Sequence, residues 1–320
     1  MKIMICLVSG LILGLAPSAR FPKADISNGV VKARLYLPDE KKGYYQGVRF
    51  DRSGNIASLE YKGHSYFGQW FPKYDPKTHD AIMGPVEEFG SVEFNLKKPG
   101  QTFLKIGVGM LVKPDNKVYT IRKLYDNVNP GTWTVKKHPD HVVFIHELND
   151  AEYSYHYEKD VILSKDKPEL VLSHTLKNTG NKTIETTAYD HNFFMIDKQP
   201  VGPGIEILFP FDVSGEGMGI GPEKYAKIAD RKITFLKNLD KDSTIYCSDL
   251  KGYGQDAKDY DFRIENKVTR AGVRITCDQP LVRLPFWSCT TTACPEPYIM
   301  IRVEPGKEFR WNIRYEFYTF

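Results

Sequence analysis

Hydrophobic and polar positions alternate with a period of two along most of the chain. The clearest run lies near the C-terminus, where Phe309, Trp311, Ile313, Tyr315 and Phe317 fall on one side and Arg310, Asn312, Arg314 and Glu316 on the other. That is the signature of a strand with one buried face. Residues 299–303 precede it across Glu304-Pro305-Gly306-Lys307, so the two predict an antiparallel hairpin. A second hairpin is predicted from 169–176, across the turn-forming 178–182, into 183–189. Further strands are predicted at 31–37, 56–61, 132–135, 142–147, 153–163, 205–211, 233–236 and 273–277. Helical periodicity is missing over any long window, and the best short candidate, 221–228, is at most two turns. So many strands must hide their edges and inner faces, which a large antiparallel two-sheet sandwich accomplishes. The expectation is an all-β fold with few short helices, forming one domain over residues 20–320, since neither a linker nor a repeat of fixed period interrupts it.

Composition narrows the partners. In 320 residues, 44 basic against 40 acidic side chains leave a formal charge of +4, too slight for a nucleic-acid footprint. The 19 Tyr, 18 Phe and 4 Trp suit a site that stacks against sugar rings. At the N-terminus, Lys2, the apolar run 5–15 and the small residues 16–19 match the three regions of a secretory signal. Residues 1–19 are therefore expected to be a cleaved leader and the protein to be secreted or periplasmic. No later segment could span a bilayer once the leader is removed. In an oxidising compartment Cys247, Cys277, Cys289 and Cys294 could form two disulfides, with three possible connectivities. Their spacing lacks the CxxC of a zinc site.

Two loop-proximal segments carry candidate chemistry. One is Tyr189-Asp190-His191-Asn192-Phe193-Phe194, where an imidazole flanked by Asp190, Asn192 and aromatic rings can exchange a proton with an oxygen while the rings hold a pyranose face. Its plainer reading is a structural histidine at a strand end. The other is Cys294-Pro295-Glu296-Pro297-Tyr298, where two prolines stiffen the chain around Glu296; its plainer reading is a solvated turn glutamate. Trp70, Tyr74, Trp287 and Tyr298 are candidate stacking platforms that read equally as core. His138, His141 and His146 lack a convincing metal-ligand pattern, and Gly107 and Gly109 lack the following helix of a phosphate loop.

The stretch 153–197, with Leu172, Thr175-Leu176, Asn178-Thr179-Gly180 and His191-Asn192-Phe193-Phe194, resembles the central part of the aldose 1-epimerases, or galactose mutarotases. Glu296-Pro297, followed by Glu304-Pro305-Gly306 and the Trp311 to Phe317 strand, is similar to that family's closing segment. The resemblance implies a β-supersandwich and a site that works without cofactor or metal. It also implies roles: His191 protonates the ring oxygen and Glu296 removes the proton from the anomeric hydroxyl. Glu87, Glu88, Asp190, Asn192, Trp287 and Tyr298 are the expected substrate contacts. Two departures stand out. The family's earlier histidine, in a His-Gly element, has no counterpart after Gly84, where Glu87 or Glu88 is expected to fill the space and His79 is a possible substitute; Asp190 stands where the family commonly has Asn. The function implied is interconversion of sugar anomers by acid/base ring opening. The alternatives are a non-catalytic binder of a sugar or oligosaccharide and a glycan-degrading accessory enzyme on the same sandwich.

Overall fold

The computed structural model describes residues 21–320, so the expected leader lies outside the described residues. Its centre is a ten-stranded antiparallel sheet. In spatial order the strands are Ala226–Ala229, Lys232–Phe235, Ile205–Leu208, Asp261–Asn266, Ala271–Cys277, Glu308–Thr319, Glu169–Asn178, Tyr155–Leu163, His141–Leu148 and Thr132–Lys137. The middle strands alternate as the pattern demands. Trp311, Ile313, Tyr315 and Phe317 point inward from one, and Leu170, Leu172, His174 and Leu176 from its neighbour. Across the core lies a short sheet of three strands, Tyr298–Val303, Ile184–His191 and Val86–Phe89. Small sheets close the remaining faces: Lys23–Ser27 to His64–Ser65 at one end, Thr102–Lys105 with Gly109–Val112 and Asn127–Asn129, and Thr244–Cys247 with Phe286–Cys289 and Ala293–Pro295.

Both expected hairpins are absent, and the reason organises the fold. Glu169–Asn178 does not pair with Ile184–His191, and Tyr298–Val303 does not pair with Glu308–Thr319. Instead each turn carries the chain from one sheet to the other. Glu169–Asn178 pairs with Glu308–Thr319 in the large sheet, and Ile184–His191 with Tyr298–Val303 in the short one. The two corners therefore stack side by side. Asn178 ties them together: its backbone N–H donates to Lys307 O at 3.0 Å, its carbonyl accepts from Gly306 N, and its side-chain amide donates to Lys182 O and Val303 O at 2.8 and 2.9 Å. Alternation along each strand was compatible with either geometry, because a strand buries one face whether it returns in the same sheet or crosses to the next.

Two smaller corrections follow. The 221–228 segment is a turn leading into the strand Ala226–Ala229 and has no helical turn; helical structure among the described residues is confined to 3₁₀ turns such as Ile196–Lys198. All four described cysteines are free thiols. Cys247 and Cys277 are buried in the core, on separate sheets, while Cys289 and Cys294 turn to the hydroxyls of Thr291 and Thr292, each at 3.4 Å. No helix of the described residues is long and apolar enough to cross a membrane.

Replacing Asn178 with Ala would strip a buried carbonyl, Val303 O, and a half-buried one, Lys182 O, of their donor at the point where both corners meet. Unsatisfied buried groups cost about 1–3 kcal/mol each. The Asn178→Ala protein should thus lose about 2 kcal/mol or more of stability, read from the urea midpoint; an unchanged midpoint would show that the corners hold without it.

Candidate active site

The short sheet sorts its acidic and basic side chains onto two faces. Within the pairing of Val86–Phe89 with Ile184–His191, Glu88 lies opposite Tyr189 and Val86 opposite His191, while Glu87 lies opposite Asp190. Side chains alternate along a strand, so Glu88, Tyr189 and His191 share the outer face, and Glu87 and Asp190 point inward, towards the large sheet. Adjacent glutamates thereby belong to different environments.

On the outer face, a cavity of about 460 Å³ is walled by Arg49, Trp70, His79, Asp80, Glu88, Tyr189, His191, Phe193, Trp287, Glu296 and Tyr298, with Ile121, Arg122, Thr244, Tyr246 and Arg283 completing it. That size lies within the ~300–1,000 Å³ range of small-molecule sites. His191 and Glu296, distant in sequence, meet here with Nε2 and Oε1 3.3 Å apart. Phe193 stacks on the imidazole at a centroid distance of 3.8 Å, Trp70 stacks on Phe193 at 4.7 Å, and Trp287 approaches His191 edge-on. Tyr298 stacks on Tyr189. Among the described residues the imidazole Nδ1 has no hydrogen-bond partner, although His191 is buried.

Glu296 is held from both sides. Its own N–H donates to Pro285 O at 2.9 Å, and the Asn192 side-chain amide donates to Pro295 O at 3.2 Å while also reaching Asp190 O. Asn192 thus stitches the histidine strand to the glutamate loop, and it does so from outside the cavity. Burial pushes the Glu296 carboxyl up to about 7; Arg49 opposes this and the charge of Glu88 reinforces it. Burial, reinforced by Arg49, drives the His191 imidazole well below its ordinary value. Below about 7 the two groups together hold one proton, on Glu296.

Glu88 behaves differently. Burial alone would raise it, but Arg49 Nε at 2.6 Å and Lys105 Nζ at 3.3 Å outweigh that, and with the Tyr189 hydroxyl at 2.6 Å they hold the carboxyl near 2. It is a fixed anion. His79 reaches the cavity wall beside Asp80, 3.5 Å away. An imidazole from the segment before Gly84 therefore does stand at the site.

Three expected contacts are elsewhere. Glu87 lies inside the sandwich, paired with Lys159 and accepting from His174 Nε2 at 2.7 Å; both partners come from the large sheet. These outweigh burial and hold Glu87 near 2. Asp190 accepts from the Tyr315 hydroxyl at 2.6 Å, and burial with the nearby Glu87 charge pushes it up to about 8. Asn192, as described, is a structural tie. Alternation sends Glu87 and Asp190 to the inner face, which is the physical reason they do not line the cavity. Asp51 completes this interior cluster, accepting from Tyr157 and Ser53 hydroxyls at 2.9 and 2.6 Å. Gly107, at φ +72°, packs so closely that an added Cβ would sit 2.5 Å from Asp51 Oδ1, which explains a glycine there without any phosphate. Tyr74 packs in the apolar cluster behind Trp70, its hydroxyl donating to Tyr44 O. His138 and His141 stack on each other at 4.1 Å, and His146 is occupied by the Tyr155 hydroxyl and Pro130 O.

Arg49 and Arg283, with Tyr189 from the histidine segment, carry much of the site's charge and shape, and neither arginine is singled out by the sequence pattern. The usable signal was an arginine at position 49 amid Tyr44, Tyr45 and Phe50, a stretch otherwise fit for burial. A larger groove of about 1030 Å³ along Gly215, Gly217, Gly221 and Leu236 has only Glu216 and Lys227 as charged lining groups and holds no acid/base pair.

Solved structures share this architecture from end to end. A GalM/aldose epimerase homologue from C. elegans superposes with a TM-score of 0.58 at 13% identity, over 93% of this chain and 98% of that one. A galactose mutarotase related enzyme from Lactobacillus acidophilus gives 0.56 at 13%, over 93% and 97%. The fold is that of the galactose mutarotases. A putative aldose 1-epimerase from Escherichia coli K12 shares it too, at 0.52 and 13% identity, over 93% and 99%. No protein-family model and no curated protein matches the sequence.

The interior acids give the protein a pH signature. Asp190 is protonated in the native state up to about 8, whereas an unfolded aspartate ionises near 3.8. Its contribution is full below the unfolded value and is lost as pH rises through the folded one. Asp51, pushed to about 6, finishes titrating earlier. From there to about pH 8, Asp190→Asn should gain on the native protein by about 1.4 kcal/mol per pH unit, checked by parallel urea unfolding series; parallel curves for the two proteins would refute it.

Proposed function

We propose that this protein is an aldose 1-epimerase that opens and recloses the hemiacetal ring of a free sugar, acting after export. The observation that carries the reading is the 3.3 Å approach of His191 Nε2 to Glu296 Oε1 at an aromatic-walled cavity. Ring opening removes a proton from the anomeric hydroxyl and adds one to the ring oxygen. Both oxygens are bonded to the same carbon, so the acid and the base must be near neighbours, and general acid–base groups at hydrogen-bonding reach contribute about 10²–10⁴-fold each. In the free site burial keeps the pair's one proton on Glu296, so it first crosses the 3.3 Å contact to His191 Nε2. Glu296, now a carboxylate, takes the hydroxyl proton as His191 delivers its own to the ring oxygen. Rotation about C1–C2 presents the other face of the aldehyde, and the same two transfers in reverse close the ring. The pair ends as it began, with one proton.

Arg49 and Arg283 support this assignment by favouring the carboxylate form of Glu296, the form that acts as base. Trp287 and Tyr298, both partly exposed at the cavity, supply aromatic surface of the kind that packs against pyranose C–H groups, while Phe193 is sandwiched between His191 and Trp70. His79 is placed to meet a further hydroxyl. A non-catalytic sugar-binding role would retain the aromatic wall without needing the acid/base contact.

The active form holds one proton on the pair. Second protonation occurs well below the ordinary histidine range, and loss of the single proton occurs at about 7. The rate constant kcat/KM for anomer exchange should therefore hold through mildly acidic pH and fall as pH rises above about 7, followed by saturation-transfer NMR on a panel of free sugars. Glu296→Gln should reduce kcat by about 10²–10⁴. Acceleration that survives this substitution, or a sugar panel on which the native protein has no effect, would defeat the reading.

A further inference from the structure

Charge around the cavity is unbalanced. Arg49 and Lys105 both neutralise one carboxylate, Glu88. Arg122 and Arg283 add two more cations at the cavity wall. Against these four stand Glu88, Asp80 and Glu296, the last with its carboxyl pushed to about 7. Lys105 is buried behind Glu88, so at the wall itself Arg49, Arg122 and Arg283 face three acids, and cations are in excess wherever Glu296 holds its proton.

The surplus is concentrated in two arginines that have no carboxylate partner among the described residues. Most other described arginines are tied to carboxylates, as Arg34 to Asp25, Arg52 to Glu40, Arg274 to Asp261 and Glu316, and Arg314 to Glu169; Arg263 and Arg270, which also lack an ion pair, lie away from the cavity. Arg283 is half-buried and held in one pose. Its Nε and Nη2 donate to Ser248 O at 3.2 and 3.0 Å, and its guanidinium lies 5.2 Å from the Tyr298 ring centroid. The remaining Nη1 donors are uncommitted. Arg122 projects from a turn whose base is fixed: Tyr119 and Tyr125 stack across it at 5.4 Å, the Tyr125 hydroxyl accepts from Thr120 N, and the neighbouring Lys123 is paired with Asp115 at 3.0 Å. The loop spends its lysine on an ion pair and leaves its arginine at the cavity. Arg283 stands on the Glu296 side and Arg122 on the His79 side, each near enough to bias that group's ionisation.

We infer that the sugar taken by this site carries an anionic substituent, a carboxylate or a phosphate or sulfate ester, held by Arg122 and Arg283. The inference rests on reading the cavity as a sugar site. The guanidinium fork pairs with carboxylate and phosphate oxygens through parallel charge-assisted bonds, and a cleft with one sign of charge in excess concentrates ligands of the other. A neutral sugar would leave both forks facing solvent.

The test is calorimetric titration of the full protein with matched sets: glucose, glucuronate and glucose 6-phosphate, and galactose, galacturonate and galactose 6-phosphate. At low salt, at least one anionic member of a set should bind about tenfold or more tighter than its neutral partner, with the preference shrinking as salt rises. In the Arg122→Gln/Arg283→Gln protein the ratio of anionic to neutral affinity should collapse towards unity, with a melting curve confirming that the double variant is folded. A preference confined to uronates identifies a carboxylated sugar, and one confined to phosphates a sugar ester. Equal binding within every set, no binding of any sugar, or a preference that survives the double substitution would overturn the inference. Anomer exchange measured on the same samples separates the two ideas. Arginine-dependent binding without faster exchange sinks the epimerase reading alone; equal acceleration of neutral and anionic sugars with no affinity difference sinks this one alone.

Discussion

The contact on which the rest of the molecule depends is the buried junction of Glu87 with Lys159 and His174. It joins the short sheet to the large one through the interior, beside buried Asp190 and Asp51, where Trp311 stacks on His174 and Phe89 packs against Tyr157. Two apolar sheets can slide past each other at modest cost, but a carboxylate cannot leave its ammonium in such surroundings. Breaking one partner of a buried pair typically costs about 3–5 kcal/mol. The junction therefore selects one register. Because side chains alternate, that same register turns Glu88, Tyr189 and His191 outward; a shift of one residue would exchange the two sets.

The interior cluster and the cavity sit back to back on two strands and are electrostatically unlike. Inside, acids with raised and lowered proton affinity neighbour each other: Asp190 near 8 and Glu87 near 2. Outside, Glu88 is a fixed anion and Glu296 is poised near neutrality. Each face has a committed carboxylate beside carboxyl groups that can hold a proton, Glu296 outside and Asp190 with Asp51 inside. Inside, this arrangement specifies packing. Outside, it leaves a proton available at an open cavity.

Much of the architecture was legible in the residues. Strands appear at nearly every stretch where alternation predicted one, with ends moved by one to three residues, as at Tyr155–Leu163 and Ala271–Cys277. The His191 and Glu296 segments were conspicuous because both are short, stiff and flanked by aromatic rings or prolines. What alternation cannot convey is which strand lies beside which. That ambiguity turned two inter-sheet corners into apparent hairpins, and it left Glu87, Glu88, Asp190 and Asn192 as a single group of candidate contacts. Only the pairing of Asp190 with Glu87, and of Tyr189 with Glu88, separates them. Arg49 was hidden for a different reason. Its partners, Glu88 and Tyr189, come from two other strands, and no local spacing announces a contact of that kind.

The stacked corners at Asn178 also govern when the cavity can come into being. Ile184 pairs with Val303, and Leu176 with Phe309, so both strands of the first corner wait for those of the second, far downstream. Pairings of such long range form slowly, because a large loop must close before any contact rewards it. A chain emerging from the ribosome has His191 long before it has Glu296, and later still it gains Glu308–Thr319, the partner of Glu169–Asn178 in the large sheet. The acid/base pair thus cannot assemble until well after the histidine is made, and a polypeptide cut short before Glu296 carries half a site.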